Sequence, residues 1–335
     1  MSRATRAGST STAVVPAPPR HGLHIVSGKG GTGKTTIAAA LACALAVDGR
    51  RVLLCEVEGR GGIAELFGVP ALVGDEERRM TRTPSGGVVH GLSIDAEDAL
   101  LEYLETFYHL GLAGRALDRF GAIDFATSIA PGLRDVLLTG KVYEAVRRGP
   151  TGRPGAYDAV VLDAPPTGRI SQFLNVHEAV SGLARVGPIR NQADSIMEML
   201  RSPTTVVHLV TLLEDMPVTE TEKAVEALVP TRIAVGAVIE NMVIPNPLDT
   251  DELQRAAAGL LELEVPGWSD SQNQALAREF AVDAARTLAQ QERHLRLTGL
   301  SLPLAAVALD PAGIDEAALF AIGETLREQL ELEAA

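Results

Sequence analysis

The chain has 335 residues, 46% of them apolar, 4% aromatic, and a formal net charge of −13. With a pI near 5.1, it lacks the basic face that displaces counterions from a nucleic acid, so broad contact with DNA is not expected. The longest apolar run, Ile37 to Val47, is too short to span a bilayer, so stable membrane insertion is not expected either.

Residues 1–20 hold Ser, Thr, Pro and three arginines, with no acidic residue and no apolar core of a secretory signal. They read as a flexible tail, an organelle-targeting segment being the alternative. The remainder, 21–335, reads as a single domain. Its first strand-like run is 23–27, and it leads into Gly28-Lys29-Gly30-Gly31-Thr32-Gly33-Lys34-Thr35-Thr36 and an alanine-rich helix. This matches G-x-x-x-x-G-K-[ST], the phosphate-binding loop. Its backbone N–H groups can turn inward around a polyphosphate, Lys34 can reach the β and γ phosphates, and Thr35 can ligate Mg²⁺. The expected ligands are therefore ATP and Mg²⁺. Gly28, Gly30 and Gly33 also spell G-x-G-x-x-G, with Glu56 and Glu58 at about the distance of a ribose-binding carboxylate, so a dinucleotide site is the alternative. That fingerprint has no use for Lys34, Thr35 and Thr36 after the third glycine.

Lys29 adds a second lysine to the loop, and K-G-G-T-G-K-T-T resembles the deviant Walker A loop of dimeric ATPases. That group includes the arsenite-pump ATPases, the ATPase that guides tail-anchored membrane proteins, and the chromosome-partition and septum-placement ATPases. The resemblance implies a dimer in which Lys29 reaches the nucleotide of the facing subunit, supplying what an arginine finger supplies elsewhere.

The next strand-like run, 51–57, is followed by Glu58-Gly59-Arg60-Gly61-Gly62-Ile63. In the arsenite-pump and tail-anchored-protein ATPases this switch I segment reads D-P-A-H-x-L, and its Asp positions the attacking water. Glu58 keeps a carboxylate, one methylene longer and without the rigid proline. Since an error near 1 Å in placing a reactant costs about a hundredfold, hydrolysis by the isolated chain is expected to be slow if Glu58 is poorly held. A solvated turn residue is the other reading of Glu58. Cys43 and Cys55 fall in the alanine-rich helix and in this strand, so both read as small buried hydrophobes in a reducing, cytoplasmic setting. Neither belongs to a C-x-x-C pair, so the family's zinc-bridged dimer and the pump's thiolate triad are not expected. The seven histidines show no metal-ligand spacing.

A strand at 88–94 precedes a helix begun by Asp95, with Leu100, Leu104, Phe107 and Tyr108 on one face. Another helix follows Pro131, with Leu133, Val136, Leu137 and Tyr143. The strand at 157–163 ends in Asp163-Ala164-Pro165-Pro166-Thr167-Gly168-Arg169, which resembles the switch II sequence D-T-A-P-T-G-H of the same two ATPases. The resemblance implies that Asp163 acts on Mg²⁺ through a water, with Arg169 standing where the family has His. It extends through Ala130-Pro131-Gly132, through Pro217-Val218-Thr219-Glu220-Thr221, and to Asn241, where the family hydrogen-bonds adenine. Further strands are expected at 204–211, 232–240 and 304–308, and a helical stretch at 170–200. The last helix places Leu319, Ile322, Leu326 and Leu330 on one face, opposite a Glu-rich side, and is expected to pack on the core.

The alternation predicts an α/β fold, a doubly wound and mostly parallel sheet with a helical subdomain from about 95–150 and 169–200. No internal repeat is visible, so the chain is one half-unit rather than a fused tandem. In the tail-anchored-protein ATPase the matching helices form an apolar, Met-rich groove for a client's transmembrane helix. Here only Met197 and Met199 fall in such an insertion, and packing of these helices on the sheet or a partner subunit is the plainer reading. The expected function is a dimeric ATPase that carries hydrophobic membrane-protein segments. A weakly hydrolysing regulatory subunit of a heterodimer, or the ATPase subunit of an anion pump, are the alternatives.

Overall fold

A computed structural model describes residues 21–57, 61–74, 76–96, 98–100, 102, 131–149, 155–176 and 188–332. The expected tail at 1–20, Glu58 to Arg60, Leu104, Phe107, Tyr108, Ala130 and the middle of the 170–200 stretch lie outside the described residues.

The framework is an eight-stranded sheet of β1 (Gly22–Gly28), β2 (Arg51–Val57), β3 (Arg78–Arg82), β4 (Val88–Ile94), β5 (Ala159–Asp163), β6 (Thr205–Thr211), β7 (Ala234–Val243) and β8 (Leu304–Ala308). Their spatial order is β3-β4-β2-β5-β1-β6-β7-β8. Every pairing is parallel except β3 with β4. β3 was not expected from the sequence; it carries Arg78, Arg79 and Arg82, a composition tolerated because it is an edge strand.

The central strands are apolar on both faces because both faces are covered. From β1, Leu23 and Ile25 enter one core with Leu53, Val160 and Leu162, while Val26 enters the other with Leu54 and Val161. The first core is closed by α3 (Pro131–Arg148), α4 (Thr167–Leu174), α5 (Pro188–Leu200) and α6 (Asp215–Leu228). The second is closed by α1 (Lys34–Leu45) and by α9 (Glu316–Gln329), whose Leu319, Leu326 and the following Leu330 are buried. The short α2 (Gly62–Leu66) packs beside α1. Asp95 Oδ1 accepts from Asp98 N at 3.3 Å, capping the helical residues that follow β4.

The alanine run of α1 lets α9 approach its backbone directly. A Cβ on Gly323 would lie 2.7 Å from the carbonyl oxygen of Ala40 and 3.2 Å from the nitrogen of Ala44. Gly323→Ala should therefore push the helices apart and cost about 1–3 kcal/mol, lowering the midpoint of thermal unfolding in calorimetry. An unchanged midpoint would mean that α9 is loosely seated.

Between β7 and β8 the chain forms α7 (Thr250–Ala257) and the 29-residue α8 (Asp270–Thr298), joined by a small cluster of Leu253, Ala256 and Ala284. The later turns of α8 are fastened to the body by polar contacts. Arg293 reaches Asp215 with Nε at 3.0 Å and Nη2 at 2.8 Å, Arg296 reaches Glu222 at 2.6 Å, and His294 Nδ1 lies 2.8 Å from the buried Glu240. At the β8 edge, the Gln329 side chain accepts from Ala306 N at 2.7 Å and donates to Ala306 O at 3.1 Å.

His24 on β1 and His208 on β6 are wholly buried and stacked, with centroids 5.3 Å apart and one ring nitrogen donating to the other across 3.0 Å. Burial, then the neighbouring His24, pushes the His208 pKa well below its ordinary 6.5. The unfolded chain therefore binds a proton there that the folded chain refuses. Stability from this residue is fully present above pH ~6.5 and falls with pH below it, by up to about 1.4 kcal/mol per pH unit. Urea titrations at pH 7.5 and 5.5 should show this loss, and His208→Leu should flatten it.

No described helix is long and apolar enough to cross a membrane.

Candidate functional site

The order of strands reverses at β1, which lies between β5 and β6 while its own successor β2 lies beyond β5. Ligands of doubly wound sheets bind at the carboxyl ends of the strands at such a switch point. The loop Gly28 to Thr36 occupies that position, running from the end of β1 into the first turn of α1.

The loop is held by its own backbone and by β7. The nitrogen and hydroxyl of Thr32 both donate to Lys29 O, at 3.3 and 2.9 Å, closing a turn. Asn241, buried near the end of β7, donates from Nδ2 to Thr32 O at 2.9 Å. Gly33 has φ of 81°, and a Cβ there would lie 2.3 Å from that same Nδ2, so glycine is required by conformation and by space. Lys34, the first residue of α1, is 8% exposed.

Thr35 and Asp163, distant in sequence, are joined: Thr35 Oγ1 donates to Asp163 Oδ2 at 2.7 Å. A hydroxyl and a carboxylate at the helix start and the strand end form the kind of hard oxygen pair that suits Mg²⁺, which prefers one or two protein oxygens and completes its shell with water and phosphate. The residues present thus fit that ion. The segment after Asp163 is tied back to β1, with Ser27 Oγ donating to Pro165 O at 2.7 Å and Ala164 N to Val26 O at 2.9 Å. Arg169 extends away from the loop toward α3, where its Nη2 lies 3.5 Å from the buried Asp135 carboxylate.

Glu56 is not available to a ribose. It is 3% exposed, opposite Asp163 in the β2–β5 register, and its carboxylate accepts from Gly61 N at 3.1 Å and Ile63 N at 3.4 Å. It therefore anchors the segment that re-enters after Glu58 at the start of α2. A Cβ on Gly62 would come within 3.3 Å of Thr35 Cγ2, so that segment lies beside the threonine. With β5 separating β1 from β2, the geometry of the dinucleotide fingerprint is absent, and the alternative reading fails on topology and on Glu56 alike. A carboxylate between Cys55 and Val57, in the apolar part of β2, is the signal that Glu56 has a local partner.

Lys29 Nζ lies 3.4 Å from Glu220 Oε1 on α6, within the stretch Pro217 to Thr221. Glu220 Oε2 also accepts from Thr167 Oγ1 at 3.3 Å. The sequence alone gives Glu220 no partner; the fold gives it two. Cys43 and Cys55 are buried free thiols; burial pushes Cys43 up to about 12 and Cys55 higher still, so both stay protonated. Met197 is buried in the first core and Met199 packs against it.

A sequence profile of the anion-transporting ATPases matches residues 22–204. The chain is 48% identical over 317 residues to the ATPase BagA of Mycobacterium tuberculosis, covering 92% of this chain and 93% of that protein. It is 26% identical over 259 residues to the ATPase GET3 of Kluyveromyces lactis, covering 67% of this chain and 72% of the relative. The loop at the switch point, the α/β sheet that carries it and these likenesses agree: the chain is an ATP hydrolase and belongs to the anion-transporting ATPase family.

Proposed function

We propose that the chain binds Mg-ATP at this switch point and works as half of a face-to-face dimer, coupling nucleotide turnover to its helical layer. The observation that carries the reading is the Thr35–Asp163 contact, which joins the phosphate loop to the segment continuing through Thr167 and Arg169 into α4. The Arg169–Asp135 pair continues that path to α3. A change at the γ phosphate that shifts the segment would thereby be felt in the helices.

In this reading the amides from Gly28 to Thr36 cradle the phosphates, Lys34 faces the β and γ phosphates, and Lys29 acts across the interface. Glu58 orients the attacking water. Thr35 and Asp163 would hold Mg²⁺. The ion, when bound, neutralises charge on the phosphate oxygens. Asn241 serves the base. One Nδ2 hydrogen is given to Thr32 O, which fixes the amide and leaves Oδ1 and the second Nδ2 hydrogen for the base.

The domain is taken as one unit, 21–335, with its helical subdomain drawn from 95–150 and 169–200. Acting in the cytoplasm, that subdomain would carry a hydrophobic membrane-protein segment. Since Met197 and Met199 are packed in the core, a client groove would use other apolar side chains. Co-expression with a membrane protein ending in one apolar helix should give a soluble complex, because about twenty exposed apolar residues would otherwise drive aggregation. Failure of such clients to co-purify with folded protein, judged by circular dichroism, would exclude the carrier role.

A second reading is a regulatory subunit paired with a related ATPase, and the altered switch I favours it. Gly59 stands where the family has its stiffening proline, and Gly61, where the family has His, has φ of 64°.

A further inference from the structure

Two nucleotide-sensing elements converge on one carboxylate that neither motif contains. Glu220 takes Lys29 Nζ on Oε1 at 3.4 Å and the Thr167 hydroxyl on Oε2 at 3.3 Å. Lys29 belongs to the phosphate loop and Thr167 to the segment after Asp163. Glu220 itself sits on α6, an element fastened on its far side to α8 through Asp215 and Glu222. The carboxylate is therefore a fixed post, and the lysine is the flexible arm.

We propose that Glu220 is a positioning residue that holds Lys29 in cis before the dimer closes, so that Lys29 reaches the facing nucleotide only by leaving Glu220. This rests on the reading that Lys29 acts across a subunit interface. Charge accounts for the competition. The ammonium can face the Glu220 carboxylate or a polyphosphate, and the phosphate carries more negative charge. Exposure sets its size. The two side chains are 31% and 33% exposed, and a pair so open to water is worth about two- to five-fold in an equilibrium constant. Closing one dimer releases two such pairs, so the clamp opposes closure by about four- to twenty-five-fold. Because Thr167 shares the carboxylate, departure of Lys29 also alters the restraint on the γ-phosphate-sensing segment. The first ATP-driven movement is thus passed between the two elements without a relay through the sheet.

Glu220→Gln is the informative variant, since it keeps an oxygen to accept from Thr167 and removes the charge that attracts Lys29. Nucleotide-free protein is labelled with acetic anhydride and read by mass spectrometry at single lysines. Lys29 should label several-fold faster in the variant, while Lys223, exposed on the same helix, keeps its rate. In light scattering, Glu220→Gln should associate at about two- to five-fold lower ATP than wild type, since two ATP close one dimer, with a smaller difference at high salt. The shift should vanish when Lys29→Ala is added to both proteins.

Equal labelling of Lys29 in the two proteins would overturn the clamp with the dimer intact. So would an association shift that persists in the Lys29→Ala background. Absence of ATP-driven association in wild type would overturn the cross-subunit reading, and the clamp with it.

Discussion

Lys29→Ala should keep its nucleotide and lose hydrolysis by about a thousandfold or more. A cation donated to the transferring phosphoryl group across an interface is worth about 10³–10⁵ in kcat, and it acts on charge that develops only in the transition state. Lys29 has the position for such a role. It lies at the open end of the loop, about a third exposed, in contact with Glu220. Lys34, by contrast, is buried at the start of α1. Equilibrium binding of a fluorescent ATP analogue and a phosphate-release assay separate the two effects. Brisk hydrolysis by a strictly monomeric wild type, unchanged in the variant, would refute the contact in trans. If Glu58 is poorly fixed, restoring Asp-Pro at positions 58 and 59 should raise the wild-type rate.

Lys34→Ala should act on binding itself, weakening ATP by about a hundredfold or more. Truncating one partner of a desolvated, hydrogen-bonded charge pair costs about 2–5 kcal/mol, and Lys34 is only 8% exposed. Calorimetric titration gives the test, with circular dichroism showing that α1 persists. Asp163→Asn should spare ATP binding and reduce Mg²⁺-dependent hydrolysis. Tight NADH binding with no response to ATP would contradict the phosphate-loop reading.

The parts of this molecule that were readable in advance share one property: their signal is local. Lys34 and Thr35 are adjacent, and the runs leading into Gly28 and Asp163 are mostly apolar. The strands around them could therefore be placed within about two residues, as at 157–163 against Ala159–Asp163. β3 escaped because three of its five residues are arginines, which an edge accepts and a periodicity argument rejects. α8 gave little because only Ala284 and Leu297 are buried along its length, and its hold on the body comes from Leu297 in the first core together with Arg293, His294 and Arg296. Asp135 and Glu220 were opaque for a different reason. Each acquires its role from a side-chain distance that exists only once α3 and α6 have been stacked around the switch point.

The Gln329 amide on Ala306 bears on how anything can be added to this protein. β8 is five residues long, and its central residue, Ala306, is bonded on both its N–H and its C=O by a side chain that imitates the rung of a neighbouring strand. An extended polypeptide arriving there would have to displace the glutamine before forming its first pair of ladder bonds. Recognition by strand addition is thus discouraged at the site where a parallel sheet most readily grows. At this edge, a cargo or a second subunit is therefore met by side chains instead of by free ladder groups. Gln329→Ala would unblock the edge, and the visible result would be slow self-association that strengthens with concentration and ignores ATP.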